Sequence, residues 1–218
     1  MTGARRASTT EARQRSAQTK RERSRRLLLD SAAAVFSEQG WHGARMEDIA
    51  KAAGVSVPTA YNHFPGGKQQ LIAAVYRPLL DPVIEQAEAD REAGLTPKEA
   101  VIRHIRALAG VTRRHQALTA TLMVAVSDQT ARVGPPTSPD DVRKLVPATT
   151  SLNRLIEWGQ DEGEFVDEIP AADIGAYHCN GLFLRVLTRP QESAQETSQL
   201  VLSQLLPALI HSTSQQQH

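Results

Sequence analysis

The 218-residue chain contains a single cysteine, Cys179. One thiol cannot form an internal disulfide or supply the several thiolates of a cysteine-based zinc site. Long apolar runs are also missing, since stretches such as 71–75 fall far short of the ~20 residues that cross a bilayer. The polar, Arg-rich N-terminus has no apolar segment of the signal-peptide kind. We therefore expect a cytoplasmic protein with no disulfide and no membrane partner.

Motifs of common enzymes are absent as well. Gly66 to Lys68 has the final residues of a phosphate-binding loop, but no glycine precedes them at the required spacing and Gln69 replaces the Ser or Thr. His178 and Cys179 are sequence neighbours on a predicted helix, so they point to different sides of it. No zincin spacing, nucleophile elbow or dinucleotide-binding glycine pattern occurs. We expect no catalytic residue, no metal site and no cofactor.

Charge is unevenly distributed, although the net charge is only +1. Residues 1–68 hold 12 Lys and Arg against six acidic residues, and the first 26 residues alone carry an excess of seven positive charges. Such asymmetry favours contact of the N-terminal part with a polyanion. The alternative is a solvated basic tail with no partner.

Apolar residues recur at helical spacing along most of the chain, and alternating segments of strand type are lacking. Residues 1–18 have too little apolar surface to order themselves, so we predict a flexible basic arm that could reach a DNA minor groove. Thr19 and Glu22 have the spacing of a capping box and predict the start of the first helix, which ends at Gly40.

Residues 19–67 have room for three helices in the arrangement of a helix-turn-helix. The second helix runs through Met46 to Ala53, Gly54 supplies the turn, and Ser56 caps a third helix. That third helix is small and polar on one side, so it can approach the floor of a DNA major groove closely. We assign three apolar side chains to the core behind it: Phe36, Ile49 and Phe64.

Residues 68–211 predict a second, longer helical domain. Its first helix must bend or break at Pro78 and Pro82. Thr96 and Glu99 have capping-box spacing and start the next helix. Residues 212–218 are polar and predict a frayed tail.

The run from Gly54 to Phe64, followed by Lys68 and Leu71, closely resembles the signature of TetR-family transcriptional regulators. The segment 28–32 with Phe36 and Gly40 is similar too, so the resemblance covers about residues 22–75. It implies an all-α protein in which an N-terminal three-helix helix-turn-helix DNA-binding domain precedes a helical-bundle ligand-binding and dimerisation domain. It also implies a homodimer, usually a repressor that binds a palindromic operator and is released by a small molecule. The alternative is a helical ligand-binding or interaction protein without sequence-specific DNA binding.

The resemblance also implies roles for individual residues of the head. Tyr61, His63 and Lys68 would contact DNA phosphates, and the family Thr at the start of the second helix is replaced by Arg45, a further phosphate candidate. Asn62 is suited to a bidentate contact with adenine. Three alternatives stay open: Tyr61 as a core aromatic, Thr59 bonded to its own helix, and His63 hydrogen-bonded within the fold. The complete predicted DNA-binding set is Arg45, Ser56, Val57, Pro58, Thr59, Tyr61, Asn62, His63 and Lys68.

No motif identifies the effector. Few aromatic residues and many Ala, Leu and Val favour an apolar or mixed cavity among the helices between about residues 71 and 187. For each candidate contact, core packing or the dimer interface is the alternative. The candidates are His104, Met123, Trp158, His178, Asn180 and Arg185. We expect the last two helices to form a four-helix interface with those of a second copy.

Overall fold

The computed structural model describes the backbone of residues 3–130, 141–146 and 148–210, and side chains from Arg13 onward within these ranges except for residues 129 and 130. Every regular element in these ranges is a helix, which confirms the all-α prediction. The tail predicted at 212–218 lies outside the described residues. The helices of these ranges are α1 (Gly3–Gly43), α2 (Met46–Ala52), α3 (Val57–His63), α4 (Gly67–Glu92), α5 (Pro97–Arg114), α6 (Gln116–Thr130), α7 (Val142–Leu145), α8 (Thr150–Asp161), α9 (Ala171–Thr188) and α10 (Ala194–Leu209).

Helices α1 to α3 form the head that the sequence predicts. Gly40, with φ of 65°, breaks the regular helix α1, and Gly54, with φ of 66°, makes the turn between α2 and α3. Both backbones lie in the left-handed region that glycine adopts without steric cost. The side chains assigned to the core, Phe36, Ile49 and Phe64, are all buried.

The start of α1 differs from the prediction. The helix begins at Gly3, and Thr19 lies inside it, where its hydroxyl donates to the Arg15 carbonyl at 2.9 Å instead of capping a terminus. No glycine or proline occurs between residues 4 and 39, and Ala, Arg, Gln and Glu are strong helix formers. Adding a residue to an existing helix is cheap compared with starting one, so α1 extends through 3–18. The flexible arm predicted there is therefore corrected to a helical extension.

The C-terminal domain packs onto the head through one continuous core. Helix α4 passes through Pro78 and Pro82 and joins the two parts. At the junction, the Thr121 hydroxyl of α6 donates to the Phe36 carbonyl of α1 at 3.0 Å. The Trp41 indole N–H donates to the Asp128 carboxylate at 3.2 Å. The end of α1 is thus attached to α6 by polar contacts as well as by packing.

An ion-pair network holds the α9–α10 hairpin against α5. The Arg113 guanidinium donates to the Thr197 hydroxyl at 3.0 Å, to the Arg189 carbonyl at 2.8 Å and to the Glu192 carboxylate at 2.9 Å. Glu192 also accepts from Arg185, and the hydrogen bond from Arg185 is the main reason that the pKa of Glu192 lies below its usual value. The capping boxes of α5 (Thr96, Glu99) and α10 (Ser193, Glu196) are formed as well. Within the described residues, no helix is both long and apolar enough to cross a membrane.

Candidate nucleic-acid interface and cavities

Helix α3 is started by its own N-cap. The Ser56 hydroxyl accepts the Thr59 backbone N–H at 3.3 Å and lies 2.7 Å from the Thr59 hydroxyl. The Thr59 side chain is therefore bonded within its own helix, as one of the alternatives for this residue predicted. Because this local contact forms without DNA, the protein presents α3 already folded.

The α3 residues of the predicted DNA-binding set lie on two different faces of the helix. Val57, Ala60 and Phe64, at positions i, i+3 and i+7, pack toward the core, so the half-buried side chain of Val57, a member of the predicted DNA-binding set, lies on the packing face. Pro58, Tyr61 and Asn62 lie on the opposite face and are exposed. Tyr61 is 44% exposed, which rules out the core aromatic alternative.

Three residues that the sequence linked only by resemblance come together beside α3. Arg45, Tyr61 and Lys68 line one recess of about 400 Å³, between the end of α1 and the start of α4. Arg45 occupies the N-cap position of α2 without a side-chain cap bond, so its guanidinium is not used to cap that helix. The recess combines two cations and a phenol hydroxyl, groups that hydrogen-bond phosphate oxygens, with one carboxylate, that of Glu47.

Lys68 is oriented by Trp41. Its ammonium donates to the Trp41 carbonyl at 2.8 Å and lies 4.5 Å from the centre of the indole ring. Burial lowers the pKa of Lys68, and Asp128 acts in the opposite direction. An ammonium has three N–H donors, and the bond to Trp41 uses one of them. Lys68 thus combines an internal structural contact with a place at the rim of the recess.

The predicted effector contacts do not form one site. His104 is buried at 3% exposure and bonded to Ser151 at 3.2 Å; burial lowers its pKa to about 4, although the Val83 carbonyl and Asp90 act in the opposite direction. His178 Nδ1 donates to the Ile174 carbonyl at 2.9 Å. Arg185 is paired with Glu192. These three side chains make contacts within the fold, as the core-packing alternative predicted.

The other three predicted effector contacts are divided between two cavities. Trp158 lines a cleft of about 510 Å³ between α4 and α8. Met123 and Asn180 line a second cavity of about 420 Å³, bounded by α6, α7, the start of α8 and α9. Sequence spacing could not foresee this division because it depends on how distant helices pack.

Comparison with known families identifies the head. The sequence profile described as "Bacterial regulatory proteins, tetR family" matches residues 28–75, which include α2, α3 and the recess around Lys68.

Residues 28–75 of this chain are thus similar to the DNA-binding head of TetR-family regulators.

Relatives of known name match part of the chain. The HTH-type transcriptional regulator BetI of Rhizobium meliloti is 40% identical over 82 residues, which are 38% of this chain and 40% of BetI. The HTH-type transcriptional regulator RutR of Escherichia coli K12 is 37% identical over 89 residues, or 41% of each chain. The match thus spans about two fifths of the length of each relative.

Solved structures share the fold along nearly the whole chain. The TetR-family repressor FadR of Thermus thermophilus, crystallised with lauroyl-CoA, superposes with a TM-score of 0.69 at 20% identity and covers 89% of this chain and 99% of that one. The ketosteroid regulator KstR2 of Mycobacterium tuberculosis gives a TM-score of 0.58 at 21% identity, over 86% and 95% of the two chains. At this level of identity, the likeness concerns the fold.

The structure adds two residues of the head to the predicted DNA-binding set. Arg21 and Arg25 lie close enough to His63 to lower its pKa, after the larger effect of burial. The Arg25 guanidinium lies 5.0 Å from the centre of the Phe64 ring. In the sequence, both arginines belong to a general basic region. Their i, i+4 spacing was a signal that they share one face of α1.

Proposed function

We propose that this protein is a dimeric DNA-binding transcription regulator, a repressor that binds a palindromic operator and is released by a small molecule. One observation carries the proposal: the exposed face of a preformed α3 lies between two clusters of cations. The Arg45–Lys68 recess is on one side, and Arg21 and Arg25 beside His63 are on the other. An operator is part of the chromosome, so we place the protein in the cytoplasm together with that DNA.

Each part of this surface has a proposed task. Pro58 and Asn62 face base edges in the major groove, and the Asn62 amide offers a donor and an acceptor to adenine. Arg45, Tyr61 and Lys68 bind a phosphate that fixes the position of α3 on the duplex. Ser56 and Thr59 contribute indirectly, because they cap α3.

An exposed apolar surface on α9 and α10 supports dimerisation. Tyr177, Leu184, Leu187 and Leu200 are between 40% and 76% exposed. Three of them, Tyr177, Leu184 and Leu200, line one groove of about 510 Å³ between the two helices. A second copy, related by a twofold axis, would cover this surface with its own α9 and α10. The same axis would repeat α3 about one DNA turn, roughly 34 Å, away.

Ligand release would pass through α6. This helix lines the 420 Å³ cavity with Leu122 and Met123, and its Thr121 and Asp128 contact the end of α1. An effector can weaken DNA binding only if it binds one arrangement of head and domain more tightly than the other. The lauroyl-CoA complex of the Thermus thermophilus repressor supports a small-molecule effector here.

Selection of genomic fragments that share an inverted repeat tests the DNA-binding proposal. With the selected duplex, Arg45→Ala should weaken binding to all sequences and reduce the salt slope by about 1, while Asn62→Ala should relax preference at one base pair per half-site. Arg106→Ala, which removes an exposed arginine of α5, is the control and should bind as the wild type does. Equal binding of palindromic and scrambled duplexes, with and without cell-extract metabolites, would favour the helical interaction protein.

Sedimentation of Leu184→Glu tests the dimer. A carboxylate in the centre of the α9–α10 surface should convert the dimer to a monomer, since burying an unpaired charge is costly. Ala89→Glu places the same charge at an exposed position of α4 and should leave the dimer intact. A dimer that persists in Leu184→Glu would move the interface elsewhere.

A further inference from the structure

The cleft between α4 and α8 is separate from the cavity that α6 lines. Its volume of about 510 Å³ is enough for a small aromatic molecule. One wall is a single face of α4, with residues at i, i+4, i+7, i+11 and i+14, and the other is a face of α8. The residues of these walls that carry the chemistry are Arg77, Asp81, Ile84, Glu88, Arg91, Ser151, Arg154, Leu155 and Trp158.

Positive charge exceeds negative charge in this cleft. Three arginines line it against two carboxylates. Arg154 lies 3.3 Å from Glu88, but both side chains are about two thirds exposed, so this pair is weak and exchangeable. Among the described residues, Arg91 makes no ion pair, and it lies about one helical turn after Glu88 on the same face of α4. Arg77 lies eleven residues before Glu88, roughly 16 Å along the helix, and is therefore distant from Arg154. The guanidinium groups of Arg91 and Arg154, one without an ion pair and one with an exchangeable partner, can receive an anion with two oxygens.

The apolar part of the cleft is flat. Trp158 is half-buried and packs against the core, and Ile84 and Leu155 extend the wall that its ring forms. The Arg91 guanidinium lies 5.4 Å from the centre of the indole ring. A planar ring in the cleft could stack on the indole and keep the guanidinium of Arg91 beside it.

The wall of the cleft carries a fixed hydroxyl. Ser151 is buried and bonded to Nε2 of His104. This bond limits rotation of the Ser151 side chain. The site therefore combines a cationic rim, an aromatic wall and one positioned polar group.

We propose that this cleft binds a small aromatic anion, with its carboxylate or phosphate at Arg91 and Arg154 and its ring against Trp158. The anion takes the place of Glu88 as the partner of Arg154. Binding itself is independent of DNA; only the assignment of the anion as an effector, acting from this cleft in addition to a ligand of the α6 cavity, rests on the proposed function.

Equilibrium dialysis of the full-length protein with three matched probes tests the site. The probes are 2-naphthoate, 2-naphthyl phosphate and the neutral 2-naphthamide. We expect one site per chain for at least one anion. The amide should bind at least about tenfold more weakly, because it loses a charge-assisted hydrogen bond. The stronger of the two anions distinguishes a carboxylate from a phosphate ligand.

Variants locate the binding. Arg154→Gln should weaken anion binding about tenfold and leave amide binding unchanged. Arg91→Gln should weaken anion binding more than amide binding, whereas Trp158→Leu should weaken both. Arg106→Gln, at an exposed position of α5, is the matched control, and thermal melting of each variant checks that it is folded. Failure of both anions to bind, equal binding of the amide, or full affinity in Arg91→Gln and Arg154→Gln overturns the site.

Titration of the bound anion into the protein–operator complex separates the two proposals. Release of DNA supports the effector assignment. Retention of DNA by a protein that binds the anion by dialysis leaves the site in place and overturns its role as the effector site. If no operator is found, the dialysis result still decides the site, because that measurement contains no DNA.

Discussion

At the scale of single residues, Gly159 illustrates a position that only the fold explains. A Cβ there would lie 2.0 Å from the Phe165 ring, which packs against the glycine at the end of α8. The Phe165 backbone N–H also donates to the Gly159 carbonyl at 2.9 Å. Glycine is required here by close approach of a ring and not by an unusual backbone angle.

Gly159→Ala should therefore destabilise the protein by about 2 kcal/mol, because the methyl group forces the Phe165 ring out of its place. Urea unfolding followed by circular dichroism measures this change. Gly110→Ala in α5 is the control, since nothing lies within 4 Å of its Cβ position. That variant should gain about 0.5–1 kcal/mol, because alanine favours the helix. A similar loss in both variants would contradict the packing explanation.

His104 should make stability depend on pH. Burial lowers its folded-state pKa to about 4 from the usual histidine value of 6.5. Between these values the unfolded chain binds a proton that the folded chain does not, so stability falls as pH falls from 6.5 toward 4. The loss approaches about 3 kcal/mol at the lower end.

Urea unfolding at pH 7 and pH 5 of the wild type and of His104→Gln checks this prediction. The variant should lose part of the wild-type pH dependence, whatever its stability at pH 7. An unchanged difference between the two pH values would show that His104 is not the titrating group.

The residues of α3 show what the sequence could and could not predict at this scale. Ser56 as a cap and Phe64 as core follow from local spacing and hydrophobicity, and both are confirmed. The packing of Val57 was predictable from its i, i+3, i+7 relation to Ala60 and Phe64, but the family resemblance outweighed that signal. The bond from Lys68 to Trp41 joins residues 27 positions apart, which no local pattern reveals.

At the scale of helices, the extension of α1 changes what residues 1–18 can do. A helix with its side chains is about 10–12 Å wide, whereas the minor groove of B-DNA is about 6 Å wide. A helical extension therefore fits along the phosphates or in a major groove better than in a minor groove.

Deletion of residues 1–18 should lower operator affinity and reduce the salt slope by about 1–3, since up to four arginines lose their phosphate contacts. Filter binding at several salt concentrations measures both. Replacing the same four arginines by glutamine keeps the helix formers and serves as the matched variant, with the same expected result. If the deletion changes neither affinity nor slope, the extension does not contact DNA.

Capping boxes were the most predictable feature of the helices. Thr96 with Glu99 forms as expected, and Ser193 with Glu196 has the same spacing and forms too, because each capping box depends on only four consecutive residues. Thr19 with Glu22 has the same spacing and failed, because a helix already running through it leaves no free N–H groups to cap. The pattern is therefore reliable only where something stops the preceding chain from being helical.

At the scale of the whole molecule, the junction between head and C-terminal domain combines a continuous core with hydrogen bonds between α1 and α6. Trp41 and Asp128 are 87 positions apart, so their bond could not be read from the sequence. The two-part organisation was predictable from the resemblance and the change in charge. The attachment of α6 to the end of α1 was not.

A double-mutant cycle tests this attachment. Trp41→Phe and Asp128→Ala should show a coupling of about 0.5–1.5 kcal/mol in the free energy of unfolding, because each removes one partner of the same hydrogen bond. Trp41→Phe combined with Asp81→Ala should be additive, since Asp81 lies in the α4–α8 cleft. Additivity in both cycles would mean that the Trp41–Asp128 bond does not stabilise the junction.

The uninterrupted course of α1 up to Gly40 has a mechanical consequence. From Gly3 to Leu28, where full burial begins, the helix spans roughly 40 Å. Because this part of α1 is continuous with the head, a tilt of the head by about 5° would move the amino-terminal end of α1 by about 3 Å. A displacement too small to notice beside α6 would thus be magnified at the amino terminus, where a spectroscopic label would register it.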